Sequence, residues 1–270
     1  YVHFAGDANW WVPSGTAVYS ANPRDTFYLP IGAKNPFGLE TIATFDQHIL
    51  LTEKVEVKQA AWNVVTAVND YRVLGPVLMT DPNGNRSAVE HDELGMVVKT
   101  AVMGKAGSPD GDTLADPTTR LEYELFNWMN NRKPNFVHTF AREQHGVANP
   151  RWQESYAYSN GSGGVVMVKV QAHPGKAFKV SQDGSKTEVD ADPRWVGNGR
   201  TVLNNKGKPV KQYEPYFSTT HEYEDEKVLR EIGATPILYY DPVGRNIRTL
   251  FPNGTFAKVE FTPWWQKVFD

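Results

Sequence analysis

Asp81, Asn83 and Asn85 stand at alternate positions, and Asp92 follows eleven residues after Asp81. This is the oxygen-ligand spacing of a calcium loop. The sixth position of such a loop needs glycine, and here it is Arg86, while Pro82 suits a turn held by Asp and Asn side chains. Histidines stand at His3, His48, His91, His138, His145, His173 and His221, with no HExxH pair. His138 and His145, on a strand and at its end, are expected on opposite faces. Glu222, Glu224, Asp225, Glu226 and Glu231 supply the paired carboxyls that glycoside hydrolysis needs. On a helix they read more simply as a solvated face. Gly161-Ser162-Gly163-Gly164 lacks the lysine of a phosphate loop and the glycine two residues before Ser162 of a nucleophile elbow. It reads as a tight strand connection. No catalytic residue, metal ligand or cofactor is assigned.

Trp10-Trp11 and Trp264-Trp265 are suited to stacking on sugar rings, but adjacent strand positions face opposite sides of a sheet. At least one of each pair is therefore expected to pack into a core or against a neighbouring strand. Aromatic residues make up 12% of the 270 residues, which favours β structure. The net charge of −3, without any basic run, leaves no electrostatic footprint for nucleic acid. No apolar stretch approaches the roughly 18 residues of a membrane-spanning helix. With no cysteine, disulfides and thiolate sites are excluded.

Short alternating runs must position these residues. Leu121, Tyr123 and Leu125 alternate with Arg120, Glu122 and Glu124, the period of a half-buried strand. Residues 130–134 then read as a hairpin loop before Phe136–Ala141. Further strands are expected at Val165–Val170, Trp195–Leu203, Pro236–Tyr240, Asn246–Leu250 and Thr255–Phe261. Turn signals separate them, among them Asn35-Pro36-Phe37-Gly38, Asp183-Gly184 and Asn205-Lys206-Gly207. One helix is expected, from Thr220 as cap through Glu222–Ile232 to Gly233. Gly104–Asp116 and Lys176–Asp192 read as exposed loops. The fold class is mainly β: an antiparallel hairpin sheet with at most one short helix, taken as a single domain over residues 1–270.

A loose repeat organises the chain. Asp81-Pro82-Asn83-Gly84-Asn85-Arg86 precedes His91-Asp92-Glu93-Leu94-Gly95, and Tyr240-Asp241-Pro242-Val243-Gly244-Arg245 precedes Pro252-Asn253-Gly254. Each unit is a turn, a strand and a second turn, a hairpin unable to bury its face alone. The motif positions are Asp81, Gly84, Arg86, Asp92, Gly95, Tyr240, Asp241, Gly244 and Arg245, with Phe45-Asp46 a degenerate version.

These units resemble the Rhs or YD repeat, whose core is Tyr-Asp followed by Gly-Arg. Longer stretches, including Asn69-Asp70-Tyr71-Arg72-Val73-Leu74, Pro193-Arg194-Trp195-Val196-Gly197 and Gln212-Tyr213-Glu214-Pro215-Tyr216-Phe217-Ser218, are similar to the central part of B subunits of bacterial insecticidal Tc toxins. The resemblance implies a segment of a hollow β shell, wound by B and C subunits together, that encapsulates the cytotoxic end of the C subunit. The implied partners are the C subunit with its effector and the rest of the B subunit, in a secreted assembly, with no membrane insertion by this segment. No counterpart of the family's propeller or of its aspartate-based self-cleavage motif is found. The strand-like ends, Tyr1–Phe4 and Trp264–Phe269, read as cut from a longer chain whose open edges favour self-association. A carbohydrate-binding β module using exposed aromatics is the alternative, and a glycosidase a third reading.

Overall fold

Asx residues followed three positions later by glycine punctuate the strands, and the antiparallel pairing follows from them. The computed structural model describes residues 2–270 apart from 4, 13, 148, 182, 184, 199 and 226–234. The chain divides into two compact units. The first comprises 1–120 and 144–150, the second 121–143 and 151–270.

In the first unit lie β1 (Val2–His3), β2 (Trp10–Trp11), β3 (Thr16–Val18), β4 (Gly32–Lys34), β5 (Glu40–Phe45) and β6 (Thr52–Val57). They are followed by β7 (Ala60–Asp70), β8 (Gly75–Thr80), β9 (Asn85–His91) and β10 (Val97–Lys105). β1 and β2 form a two-stranded sheet of their own, and from β3 to β10 each strand pairs antiparallel with the next. β11 (Thr119–Glu124) carries the boundary between the units, at Arg120 and Leu121.

The second unit continues with β12 (Asn135–Arg142), β13 (Trp152–Ser159), β14 (Val165–Ala172), β15 (Gly175–Val180) and β16 (Lys186–Ala191). Then come β17 (Arg194–Asn198), β18 (Thr201–Leu203), β19 (Pro209–Gln212) and β20 (Tyr216–Ser218). The last four are β21 (Ile237–Tyr240), β22 (Asn246–Leu250), β23 (Phe256–Phe261) and β24 (Gln266–Phe269). Strand order in the large sheet is sequential from β3 to β14, then β17, β20, β15 and β16. Its parallel contact is β15 with β20, at Phe178 and Ser218. A second sheet has the order β18-β19-β21-β22-β23-β24. The expected mainly β, antiparallel fold is thus present.

Several local expectations are corrected. The only α-helix among the described residues is α1 (Asn127–Asn131), inside what the sequence reads as a hairpin connection. Local amide bonds build it: the Trp128 N–H donates to Asn135 Oδ1 at 3.0 Å, and Asn127 Nδ2 donates to the Pro134 carbonyl at 2.7 Å. Arg132, at φ 57°, ends it. The helix expected over Glu222–Ile232 is absent from Glu222–Asp225, and the remainder lies outside the described residues. Lys176–Asp192 is not a loop but mostly the β15–β16 hairpin, where Ala177 is buried beneath charged neighbours. The Gly184 of its expected turn lies outside the described residues. Trp195–Leu203 is two strands in different sheets.

Burial is uneven. Among the described residues, the apolar residues buried in the first unit are Ala88, Ala101 and Pro117. The second unit has an aromatic core: Tyr156, Tyr158, Val166, Met167, Trp195, Tyr213 and Tyr216.

The turns supply the first test. Gly84 holds φ +85°, a left-handed conformation that costs a side-chain-bearing residue about 1 kcal/mol or more. Gly161 has no such φ and open space around it. Gly84→Ala is expected to lower stability by about 1 kcal/mol in urea unfolding, and Gly161→Ala to change it by less than about 0.5 kcal/mol. Equal effects would show that the left-handed turn position is not what constrains the hairpin.

Candidate functional site

The sequence motif resolves into one stereochemical unit. At Asp81 the side-chain Oδ1 accepts the N–H groups of Asn83 and Asn85, each at 2.8 Å, while Gly84 donates to the Asp81 carbonyl at 3.0 Å. Asp92 receives Leu94 and Met96 in the same way, and Asp241 receives Val243 and Arg245. Gly95 and Gly244 repeat the role of Gly84. An Asx side chain thus satisfies two turn N–H groups while a left-handed glycine closes the hairpin. The arrangement occurs six times among the described residues, for Asn35, Asn160 and Asn204 match it with an amide oxygen. Sequence reading placed Pro36–Gly38 in a repeat unit, took Asn205–Gly207 as a turn and Gly161–Gly164 as a strand connection, without naming Asn35, Asn160 and Asn204 as motif positions; the signal was Asx with Gly three residues later. Asp46 caps a longer version, in which Ile49 takes the left-handed position.

The other motif residues tie strands together. Arg86 donates to the carbonyls of Gly104 and Lys105, and the Tyr240 hydroxyl donates to the Pro209 carbonyl at 2.7 Å. Arg245 pairs with Asp241 at 2.7 Å and lies 4.4 Å over the Phe261 ring. Tyr71 donates to Asp46, and Arg72 to the Asp92 carbonyl, so one turn is bound to its neighbours. The bond from Tyr71 holds the Asp46 carboxyl below its ordinary range and pushes the Tyr71 phenol up to about 12. These carboxylates serve the backbone. Asp81 also accepts Asn85 Nδ2 at 3.1 Å, which engages both its oxygens within the turn.

A second cluster escaped sequence reading. Lys169, fully buried on β14, reaches Glu224 at 2.6 Å. Glu224 also accepts the hydroxyls of Tyr216 and Ser218. Glu224 was expected on a solvated helix face, yet its side chain is 11% exposed. Burial lowers the Lys169 ammonium and raises the Tyr216 and Tyr158 phenols. His221 stacks on Tyr156 at 4.2 Å, and the Tyr158 hydroxyl donates to the His221 carbonyl at 2.9 Å. Lys133 pairs with Glu222. Residues 221–225 are therefore strapped across the aromatic core. With three donors on Glu224 and no exposed surface on Lys169, this cluster is built to hold the strap.

The remaining candidates are dispersed. His138 pairs with Glu154 at 2.9 Å; His145 pairs at 2.9 Å with Asp112, which is buried within a stretch expected to be an exposed loop. Among the described residues no group of three or more His, Asp or Glu is placed to hold a metal, and no helix is long and apolar enough to cross a membrane. All four paired tryptophans are exposed; Trp10 packs on His3 of the adjoining strand at 5.0 Å, whereas Trp264 is 91% exposed. Glu226 and Glu231 lie outside the described residues.

No family model matches the sequence, and no curated protein matches it. Solved structures do. The crystal structure of TcdB2-TccC3 superposes with a TM-score of 0.76 at 24% identity, covering 95% of this chain and 14% of that one. TcdB2-TccC3-Cdc42 gives 0.74 at 20% identity, covering 95% and 16%. The Photorhabdus luminescens Tc holotoxin pore gives 0.74 at 19%, covering 95% and 16%. The chain spans about one-sixth or less of the chains it matches, and it has the fold of that part of them.

Two outcomes follow from the buried cluster. Glu224→Gln leaves the buried Lys169 ammonium without its counter-charge and is expected to cost about 3 kcal/mol or more in urea unfolding. A loss below about 1 kcal/mol would show that the strap is held elsewhere. The folded-state pKa values of Tyr158 and Tyr216 are raised, so their contribution is complete below pH 10 and is lost as pH rises beyond it. Lys169, lowered by burial, acts in the opposite sense below 10.5, with one proton against two. The urea midpoint should fall above about pH 10, and less steeply in Tyr216→Phe.

Proposed function

We propose that this chain is a wall segment of a Tc-type toxin B subunit, part of a shell that encapsulates a cytotoxic polypeptide. The observation that carries the reading is the fold: 95% of the chain superposes on TcdB2-TccC3. The chemistry agrees with it. Hairpin follows hairpin through Asx-glycine turns, which in this reading are YD-type repeats. Apolar side chains stay exposed, such as Trp62 at 75% and Val102 at 58%, as in a wall whose faces meet other chains. The segment works structurally, without catalysis of its own, within a secreted assembly. Its partners are the C subunit carrying the effector and the rest of the B subunit, which pairs the outer strands β3, β16 and β24.

Co-purification with a C-type repeat protein carrying its effector, followed by limited proteolysis, tests this. The associated effector should be digested at least about tenfold more slowly than the free effector. Equal digestion, or no association, would overturn the proposal, and selective binding on a glycan array would favour a carbohydrate module. Freed of its partners, the chain should self-associate in light scattering across a hundredfold concentration range.

A further inference from the structure

Among the described residues, Arg200 is the one charged residue lining a groove of about 660 Å³ in the second unit. Val166, Val202, Leu203 and Pro134 supply apolar walls, and Trp128, 58% exposed, stands at the rim. Among the described residues no carboxylate lines the groove. The Arg200 guanidinium lies 5.2 Å over the Tyr223 ring, and its Nη1 donates to the adjacent Thr201 carbonyl at 3.0 Å. Its Nε is buried with no acceptor among the described residues. A buried guanidinium N–H without an acceptor is costly, because its desolvation goes uncompensated. In the same unit Lys169 is matched by Glu224 and Lys133 by Glu222, whereas the Arg200 guanidinium lies against an aromatic ring and one carbonyl.

We propose that this groove is a binding site for an extended polypeptide segment of another chain. The segment places an aspartate or glutamate on Arg200 and an adjoining aliphatic or aromatic side chain against Trp128 and Val166. The planar guanidinium fork, stacked on Tyr223, is preorganised for a carboxylate. The apolar walls favour a side chain over a hydrated small anion. That the occupant is polypeptide rests on the shell reading, in which this chain contacts protein partners and cargo.

The test is calorimetric titration of the chain with N-acetyl-leucyl-aspartyl-phenylalanine amide and with its asparagine counterpart. The aspartyl probe should bind at least about tenfold more tightly, a preference weakened by added salt. Arg200→Gln should abolish that preference, Arg200→Lys retain part of it, and Trp128→Ala weaken both probes. Urea unfolding of each variant checks that it folds, and Trp128→Ala, at an exposed side chain, keeps the test valid if Arg200→Gln does not. Equal affinity for the two probes overturns the proposal, as does a preference that survives Arg200→Gln in a folded protein. Tighter binding of inorganic phosphate than of the aspartyl probe overturns it as well. If the probe fails while the effector remains protected from protease, the groove proposal falls alone. If the probe binds while the effector is digested freely, the shell reading falls and the groove stands.

Discussion

The architecture depends on one local constraint: an Asx oxygen that accepts two backbone N–H groups across a turn closed by a left-handed glycine. Because the side-chain period along a strand is two, a slip of one residue would turn every side chain to the other face. The Asx-glycine turn prevents that slip, since Asp81, Asp92 and Asp241 each bind N–H groups at fixed offsets of two and four residues. Register is thereby set hairpin by hairpin, without a large core to enforce it. The consequence appears in the first unit, where β9, bounded by the Asp81 and Asp92 turns, pairs with both β8 and β10 although few apolar residues are buried there.

A sheet specified this way can leave its faces uncovered, and here it does. Trp62, Phe37 and Trp264 remain largely in water, a hydrophobic cost on the order of 25 cal/mol per Å² that association would relieve. The second unit solves the same problem internally over part of its sheet. Residues 221–225 cross the aromatic cluster and are pinned by Glu224 to Lys169, Tyr216 and Ser218. A buried ion pair adds little net stability compared with an apolar pair, but it is intolerant of misplacement. It therefore suits a strap that must sit in one position, with His221 between Tyr156 and Trp195.

The turns were legible in the sequence because their chemistry is confined to five consecutive residues. Asp81 with Gly84, Asp92 with Gly95, and Asp241 with Gly244 could be named from spacing, as could the β class from alternation in Arg120–Leu125. Asn35, Asn160 and Asn204 were open to the same reading, since an amide oxygen accepts as a carboxylate does. Composition misled at Lys176–Asp192, where Lys, Asp and Glu occupy the exposed side of a hairpin whose Ala177 is buried.

What the sequence determined by itself was therefore the hairpin unit and the mainly β class, because each is set by neighbours along the chain. Tertiary structure alone decided the rest. Lys169 and Glu224 are 55 residues apart, and although Val165–Val170 reads as a buried strand, nothing local to either residue pairs the two. A carboxylate-rich stretch has the same pattern whether it faces water or an ammonium group. Likewise Arg200 reads as one polar position of the expected strand Trp195–Leu203 until folding brings Trp128, Val166 and Tyr223 around it. Pairings of that kind depend on where distant strands lie across the sheet, and that is settled by the accumulated path of the chain, not by any one segment of it.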